Sequence, residues 1–287
     1  MLVFVHINKT AGSTVRYILR SSFGVRHCEV EPWHAQWADP PFSSDDLPRL
    51  RKVYPQLESI AGHRVTGYID LYEKDTKFDY FTFLRDPVKT CASRFQYNIQ
   101  YRKKKDLVFE EWIQKDWTRN SQTKLIAGLP DLDKAIRIIK DKNIFVGLVE
   151  RFDESMLMLK ELRAKSLNIS YQRVNIASSN NIAKELLSNP NSRQMLIEAN
   201  LVDQQLYDFI RQELYPTYQR EYGPSLMDDV AQYQQKKENS FNSWNLTASR
   251  LKQYAIYKPL LYLYRRTAGS QSRRVAHKQN MLDEKKN

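Results

Sequence analysis

Leu2-Val3-Phe4-Val5-His6-Ile7-Asn8-Lys9-Thr10-Ala11-Gly12-Ser13-Thr14 joins two patterns. Its first half is an unbroken apolar run, the signature of a strand buried on both faces of a parallel sheet. The second half is a short loop of lysine, small and hydroxyl residues that leads into a helical pattern. A buried strand ending in such a loop at a helix N-terminus is an anion cradle, because unpaired backbone N–H groups and the helix dipole both face an incoming phosphate. The Gly-x4-Gly-Lys-Ser/Thr loop of triphosphate-binding proteins is absent. Lys9 precedes the single loop glycine by three residues, and the hydroxyls of Ser13 and Thr14 follow it. So short a loop suits one phosphate group.

Asp79-Tyr80-Phe81-Thr82-Phe83-Leu84 reads as a second buried strand, closed by Arg85-Asp86-Pro87. Pro87 suits the first turn of a helix, where its missing N–H costs nothing, and the helix is expected to run from Val88 toward Lys103. Ser93 stands eight residues beyond Arg85. A guanidinium at the strand exit and a helix hydroxyl could together hold a second phosphate, a group that arginine grips in bidentate fashion.

These two elements resemble the nucleotide-binding signatures of sulfotransferases. The match lies in His6 to Thr14, in Leu84-Arg85-Asp86-Pro87 and in Ser93, and it is nearest to the carbohydrate branch that includes the heparan sulfate 2-O- and 6-O-sulfotransferases. It runs with falling strength from residue 2 to about 215 and takes in Asn143 to Glu150. The resemblance implies 3′-phosphoadenosine 5′-phosphosulfate (PAPS) as sulfate donor, without a metal. It implies that Lys9, Thr10, Ala11, Gly12, Ser13 and Thr14 hold the 5′-phosphosulfate end, while Arg85 and Ser93 hold the 3′-phosphate. The segment Ala61-Gly62-His63-Arg64-Val65-Thr66-Gly67 is similar to the one that carries the catalytic histidine of heparan sulfate 2-O-sulfotransferase, which makes His63 the base for the acceptor hydroxyl. Lys9 is then the cation beside the leaving phosphate. A carbohydrate or glycoconjugate acceptor follows from the same likeness.

The remaining histidines read differently. His6 lies inside a strand as a packed ring, His27 and His34 flank an aromatic loop where they could contact substrate, and His277 falls in the tail. Glu150 at a strand end could orient substrate or simply bind a neighbouring loop. Tyr171, Arg173 and Asn175 match a family loop near the nucleotide. The run Arg102 to Lys105 could draw in an anionic glycan, although cations at a helix end also complement its dipole. Trp33 and Trp37 could stack on a sugar or anchor their loop on the core.

The chain has 287 residues, 45 Lys and Arg against 33 Asp and Glu, and a net charge of +12. This balance favours anionic partners without choosing among them. Such a length accommodates one large α/β domain. Strands alternating with helices predict a P-loop-like three-layer fold, a central parallel sheet flanked by helices. We expect a sulfotransferase domain over 1–225 and, over 226–287, a helical extension with a basic, disordered tail. Within it Leu251 to Tyr264 reads either as a helix docked on the domain or as a basic amphipathic helix in peripheral contact with a membrane, with Pro259 expected to interrupt it.

Cys28 and Cys91 are too few for a disulfide framework or a zinc site and read as free thiols. No stretch has the roughly 18 apolar residues a membrane span requires. The expectation is a cytoplasmic enzyme, or a Golgi-lumen catalytic domain trimmed of its anchor. Three Asn-x-Ser/Thr triplets carry little weight, since one begins at Asn8 in the cradle. Nothing resembles a helix-turn-helix, zinc or RNA-recognition motif, so no nucleic-acid partner is expected. Two alternatives stand beside the sulfotransferase: a nucleotide or sugar kinase, which Mg²⁺ dependence would reveal, and a non-catalytic relative that binds anionic glycans.

Overall fold

The computed structural model describes residues 1–33, 40–102, 106–171, 181–236 and 241–267. In chain order the first half runs β1 (Leu2–Val5), α1 (Gly12–Phe23), β2 (His27–Glu29), α2 (Leu47–Val53), β3 (Ser59–Gly62), β4 (Asp79–Leu84), α3 (Pro87–Gln100), α4 (Phe109–Ile113), α5 (Ser121–Ala127) and α6 (Leu132–Asp141). There follow β5 (Phe145–Leu148), α7 (Phe152–Leu162), α8 (Asn181–Ser188), α9 (Pro190–Ala199), α10 (Leu201–Phe209), α11 (Tyr215–Tyr222), α12 (Leu226–Lys236) and α13 (Ser243–Leu251).

The five strands form one all-parallel sheet in the order β2-β3-β1-β4-β5, flanked by helices as a three-layer α/β fold. β1 lies at its centre, with Val5 opposite Gly62 of β3 on one side and Thr82 of β4 on the other. All four β1 residues are buried, which explains the unbroken apolar run. The chain leaves β1 toward β2 and leaves β4 toward β5, in opposite directions, so the strand order reverses between β1 and β4. In open α/β sheets ligands bind outside the carboxyl ends of strands at such a reversal.

Local chemistry sets the helix ends. Asp86 caps α3 by accepting from the Lys89 amide at 2.9 Å, and Pro87 occupies its first position. Asp131 caps α6 in the same way. Gly24 ends α1 with φ 54°, a conformation that favours glycine. Ser43 and Asp46 form a capping box just ahead of α2, and that helix stops at Val53, two residues before Pro55. β2 and β3 are short strands that no local sequence pattern announces, and β3 ends directly before His63.

One core surrounds the sheet, and a second cluster joins Cys91, Ala92 and Phe95 of α3 to α4, α8 and α9. Both cysteines are buried and free. The elements beyond residue 225 share the main core through Leu226, Leu246, Tyr257 and Leu261. From Ser243 the helix continues to Thr267, which corrects the expected break at Pro259. A π-helical turn over Lys252–Tyr257 immediately precedes this proline, and another over Ile210–Leu214 precedes Pro216. Proline lacks the N–H and crowds the carbonyl four residues back, so a wider turn before it relieves both problems.

This last helix docks on the sheet edge rather than standing off it. Gln253 accepts from the Glu29 amide at 3.1 Å and donates to the Glu29 carbonyl at 2.8 Å, occupying the place of a neighbouring strand. Tyr257 repeats the arrangement one turn later, with its hydroxyl bonded to the amide and carbonyl of Glu31 at 3.0 and 3.1 Å. Lys258 and Arg265 pair with the Glu31 carboxylate. Trp33 packs edge-on against Tyr257 and Tyr264, which fits the anchoring reading of this residue. Among the described residues no helix is long and apolar enough to cross a membrane.

Candidate functional site

The carboxyl ends of β3, β1 and β4 lie side by side, so the sheet register gathers His63, the Lys9–Thr14 loop and Arg85 into one crevice. The loop is held in an unusual shape. Lys9 and Ala11 have φ of 67° and 60°, left-handed values that side chains other than glycine rarely adopt. Non-glycine residues persist in this region where surrounding structure fixes them, often at functional sites. Ala11 is the N-cap of α1 and supplies no side-chain cap, and the first turn contains no acid. The positive end of the helix therefore stays unneutralised by its own residues.

Thr10 is fully buried and donates its hydroxyl to the Ile7 carbonyl at 3.0 Å, bracing the loop from inside. That leaves its backbone as the part of Thr10 suited to an anion. Gly12 is required by a close approach: a Cβ there would lie 1.7 Å from Nε2 of His6. His6 is accordingly a buried packed ring, stacked between Phe4 at 5.3 Å and His63 at 3.9 Å. Burial first, then His63 and Arg16, pushes its pKa well below the ordinary value, so it stays neutral. Ser13 and Thr14 are half-buried at the start of α1.

His63 sits just beyond β3 with an exposed edge. Its Nδ1 lies 3.0 Å from the His6 carbonyl. A carbonyl only accepts, so Nδ1 carries the proton and the neutral ring keeps its lone pair on Nε2. Burial lowers the His63 pKa, with the bond to the His6 carbonyl opposing. Arg16 lowers it further while Glu29 raises it. These two residues are themselves paired at 2.9 Å, with Arg20 on the other carboxylate oxygen.

Lys9 places its ammonium 4.8 Å from the centroid of the Tyr97 ring. Its pKa is lowered by burial and then by Arg85. Arg85 in turn donates to the Lys9 carbonyl at 3.3 Å, and its backbone is clasped by Gln122, which accepts from the Arg85 amide and donates to its carbonyl. Neither cation has a carboxylate partner among the described residues. Two half-buried like charges, each repelling the other, create a strong demand for an anion. Ser93 is half-buried on α3 one turn before Tyr97, on the same face.

Sequence reading overlooked several residues that build this site. Tyr97 could have been found from its i+4 spacing to Ser93. Gln122 carried no signal, because its role depends on Asp203, which accepts from the Gln122 and Thr123 amides at 3.0 and 2.7 Å. Asn120 returns the favour by accepting from the Val202 and Asp203 amides. α5 and α10 thus cap one another.

Other candidates fall elsewhere. His27 is buried in β2 against Ser59 and burial pushes its pKa down to about 4, so it does not face a substrate. Glu150 accepts from the Asp86 amide and from the Tyr207 hydroxyl, both at 3.0 Å, which matches the loop-binding reading. Tyr171 is buried and donates to Asp153 at 2.6 Å. His34, Trp37, Lys103 to Lys105, Arg173, Asn175 and His277 lie outside the described residues. Among the described residues no three His, Cys, Asp or Glu side chains converge as a metal site. No protein-family model matches the sequence, and no curated protein matches it.

Proposed function

We propose that this chain is a sulfotransferase that moves a sulfuryl group from PAPS to a hydroxyl of a carbohydrate or glycoconjugate acceptor. One observation carries the reading: a single strand-end crevice joins two half-buried cations without carboxylate partners to a histidine whose proton is fixed on Nδ1. The residues present suit a nucleotide with phosphates at both ends. The uncapped N-terminus of α1 and the Lys9 ammonium take the 5′ end, and Arg85 with Ser93 takes the 3′-phosphate.

PAPS, when bound, supplies an activated sulfuryl group on a phosphate leaving group. The protein has two tasks beside that. His63 removes the acceptor hydroxyl proton at Nε2, and its depressed pKa keeps that nitrogen free of a proton at neutral pH. Lys9, held beside the loop, stabilises negative charge gathering on the departing phosphate oxygen. Arg85 orients rather than reacts, since Gln122 fixes its backbone on both sides.

Calorimetric titration without metal tests the reading, comparing adenosine 3′,5′-bisphosphate with AMP on the wild type and on Arg85→Ala. The expected result is a preference for the bisphosphate that the variant loses, by about tenfold or more for one charged hydrogen-bonding partner. Equal or absent binding of both nucleotides would refute it. Tight Mg²⁺-dependent binding of ATP instead would favour the kinase alternative.

A further inference from the structure

The helix over 243–267 buries one face against the sheet edge and α1, and leaves the opposite face bare. Trp244, Leu251, Ile256, Leu260 and Leu263 are exposed along that outer side, with Trp244 79% and Leu251 67% accessible. The stripe spans about 30 Å at 1.5 Å per residue. Tyr254 and Tyr262 flank it, also exposed. A contiguous apolar strip of this size on a protein surface marks an interaction site.

Charge indicates the occupant. From Asn242 to Thr267 the chain has no Asp or Glu. The acids of β2 and the residues just after it are already neutralised, Glu31 by Lys258 and Arg265, Glu29 by Arg16 and Arg20. Arg250 and Arg266 are exposed and have no carboxylate partner among the described residues. From residue 241 onward the sequence holds ten Lys and Arg against two acids, a balance of +8 within the chain's +12. Apolar and aromatic side chains along one face, bordered by arginines and free of acids, form the pattern of a helix lying in the plane of an anionic lipid surface.

We propose that the outer face of this helix docks the protein on an anionic phospholipid bilayer. Trp244, Leu251, Ile256, Leu260 and Leu263 enter the headgroup boundary, while Arg250 and Arg266 reach anionic headgroups. The helix runs alongside β2 in the same direction, Gln253 beside Glu29, Tyr257 beside Glu31 and Arg265 beside Pro32. Its C-terminal part therefore points to the side of the sheet where the crevice opens, and docking brings that crevice near the lipid surface. The inference does not depend on the reaction assigned to the crevice.

Flotation of the full chain with phosphatidylcholine vesicles, with and without phosphatidylserine, tests it. Binding is expected on the phosphatidylserine vesicles, and to be at least about tenfold weaker on phosphatidylcholine alone, in high salt, and for Leu251→Glu/Leu260→Glu. Both leucines are exposed, and a melting curve checks that the fold persists. If the glutamates unfold the chain, Arg250→Ala/Arg266→Ala provides the second variant, with a similar expected loss. No binding to phosphatidylserine vesicles would overturn the proposal. So would binding unchanged by either variant. A dimer that becomes monomeric in the glutamate variant, without lipid binding, would assign the face to a second copy of the chain instead.

Discussion

Gly12→Ala puts the architecture of the cradle to a direct test. Replacing glycine by alanine in a helix ordinarily helps, by up to about 1 kcal/mol. Here the new Cβ would fall 1.7 Å from Nε2 and 2.1 Å from Cδ2 of His6. The ring cannot swing aside, because it is stacked between Phe4 and His63 and is almost wholly buried. Overpacking of this kind costs about 1–3 kcal/mol or more. For a chain of this size each kcal/mol corresponds to roughly 2–4 °C in melting temperature, so a fall of about 5 °C is expected. The cause can be isolated with His6→Ala, which opens the space that Cβ needs. In a double-mutant cycle the two changes should couple favourably by about 1–3 kcal/mol, measured by urea denaturation. A Gly12→Ala protein as stable as wild type, or an additive cycle, would refute the packing of His6 against the loop.

With donor and acceptor supplied, Lys9→Ala and His63→Ala should each lower kcat by roughly 10²-fold or more; steady-state kinetics within a few-fold of wild type for both would remove them from the chemistry. Burial holds His27 near pKa 4 in the folded chain against about 6.5 when unfolded, so the unfolded state takes up the proton first. Stability is therefore full above pH 6.5 and falls by about 3 kcal/mol as pH drops to 4, a slope that His27→Gln should flatten in denaturant titrations across that window. Gln253→Ala strands the Glu29 amide and carbonyl at the sheet edge and is expected to cost about 1–3 kcal/mol in urea denaturation, with no change in nucleotide affinity.

The elements most legible in the sequence were those with a strong local pattern. β1 is a continuous apolar run, β4 is dominated by aromatic and apolar residues, and Asp86-Pro87 and Asp131 announce α3 and α6 by cap chemistry. β2 and β3 were invisible for the opposite reason. His27-Cys28-Glu29 and Ser59-Ile60-Ala61-Gly62 are three and four residues long, carry mostly polar or small side chains, and are strands only through their pairing in the sheet. The site divides along the same line. The Lys9 loop and Arg85 could be read where they stand, each within one strand–helix junction. The stack of His63 on His6 could not, since it depends on β3 pairing beside β1 with Gly62 opposite Val5. Nor could the clasp of Gln122 on Arg85, which rests on a buried carboxylate 81 residues further along.

The closure of the sheet edge by Gln253 and Tyr257 has a consequence for how the chain is made. β2 is among the first strands to leave the ribosome, whereas the side chains that satisfy its outer edge arrive 224 residues later. Until then the nascent protein presents an open row of strand donors and acceptors, the feature by which chains pair with one another and aggregate. Synthesis that stalls, or a protease that cuts, ahead of residue 253 would leave a species able to fold its central strands yet prone to self-pairing. The middle turns of the last helix thus serve as a seal on the finished product, and soluble yield on stepwise shortening should drop sharply once Gln253 is removed.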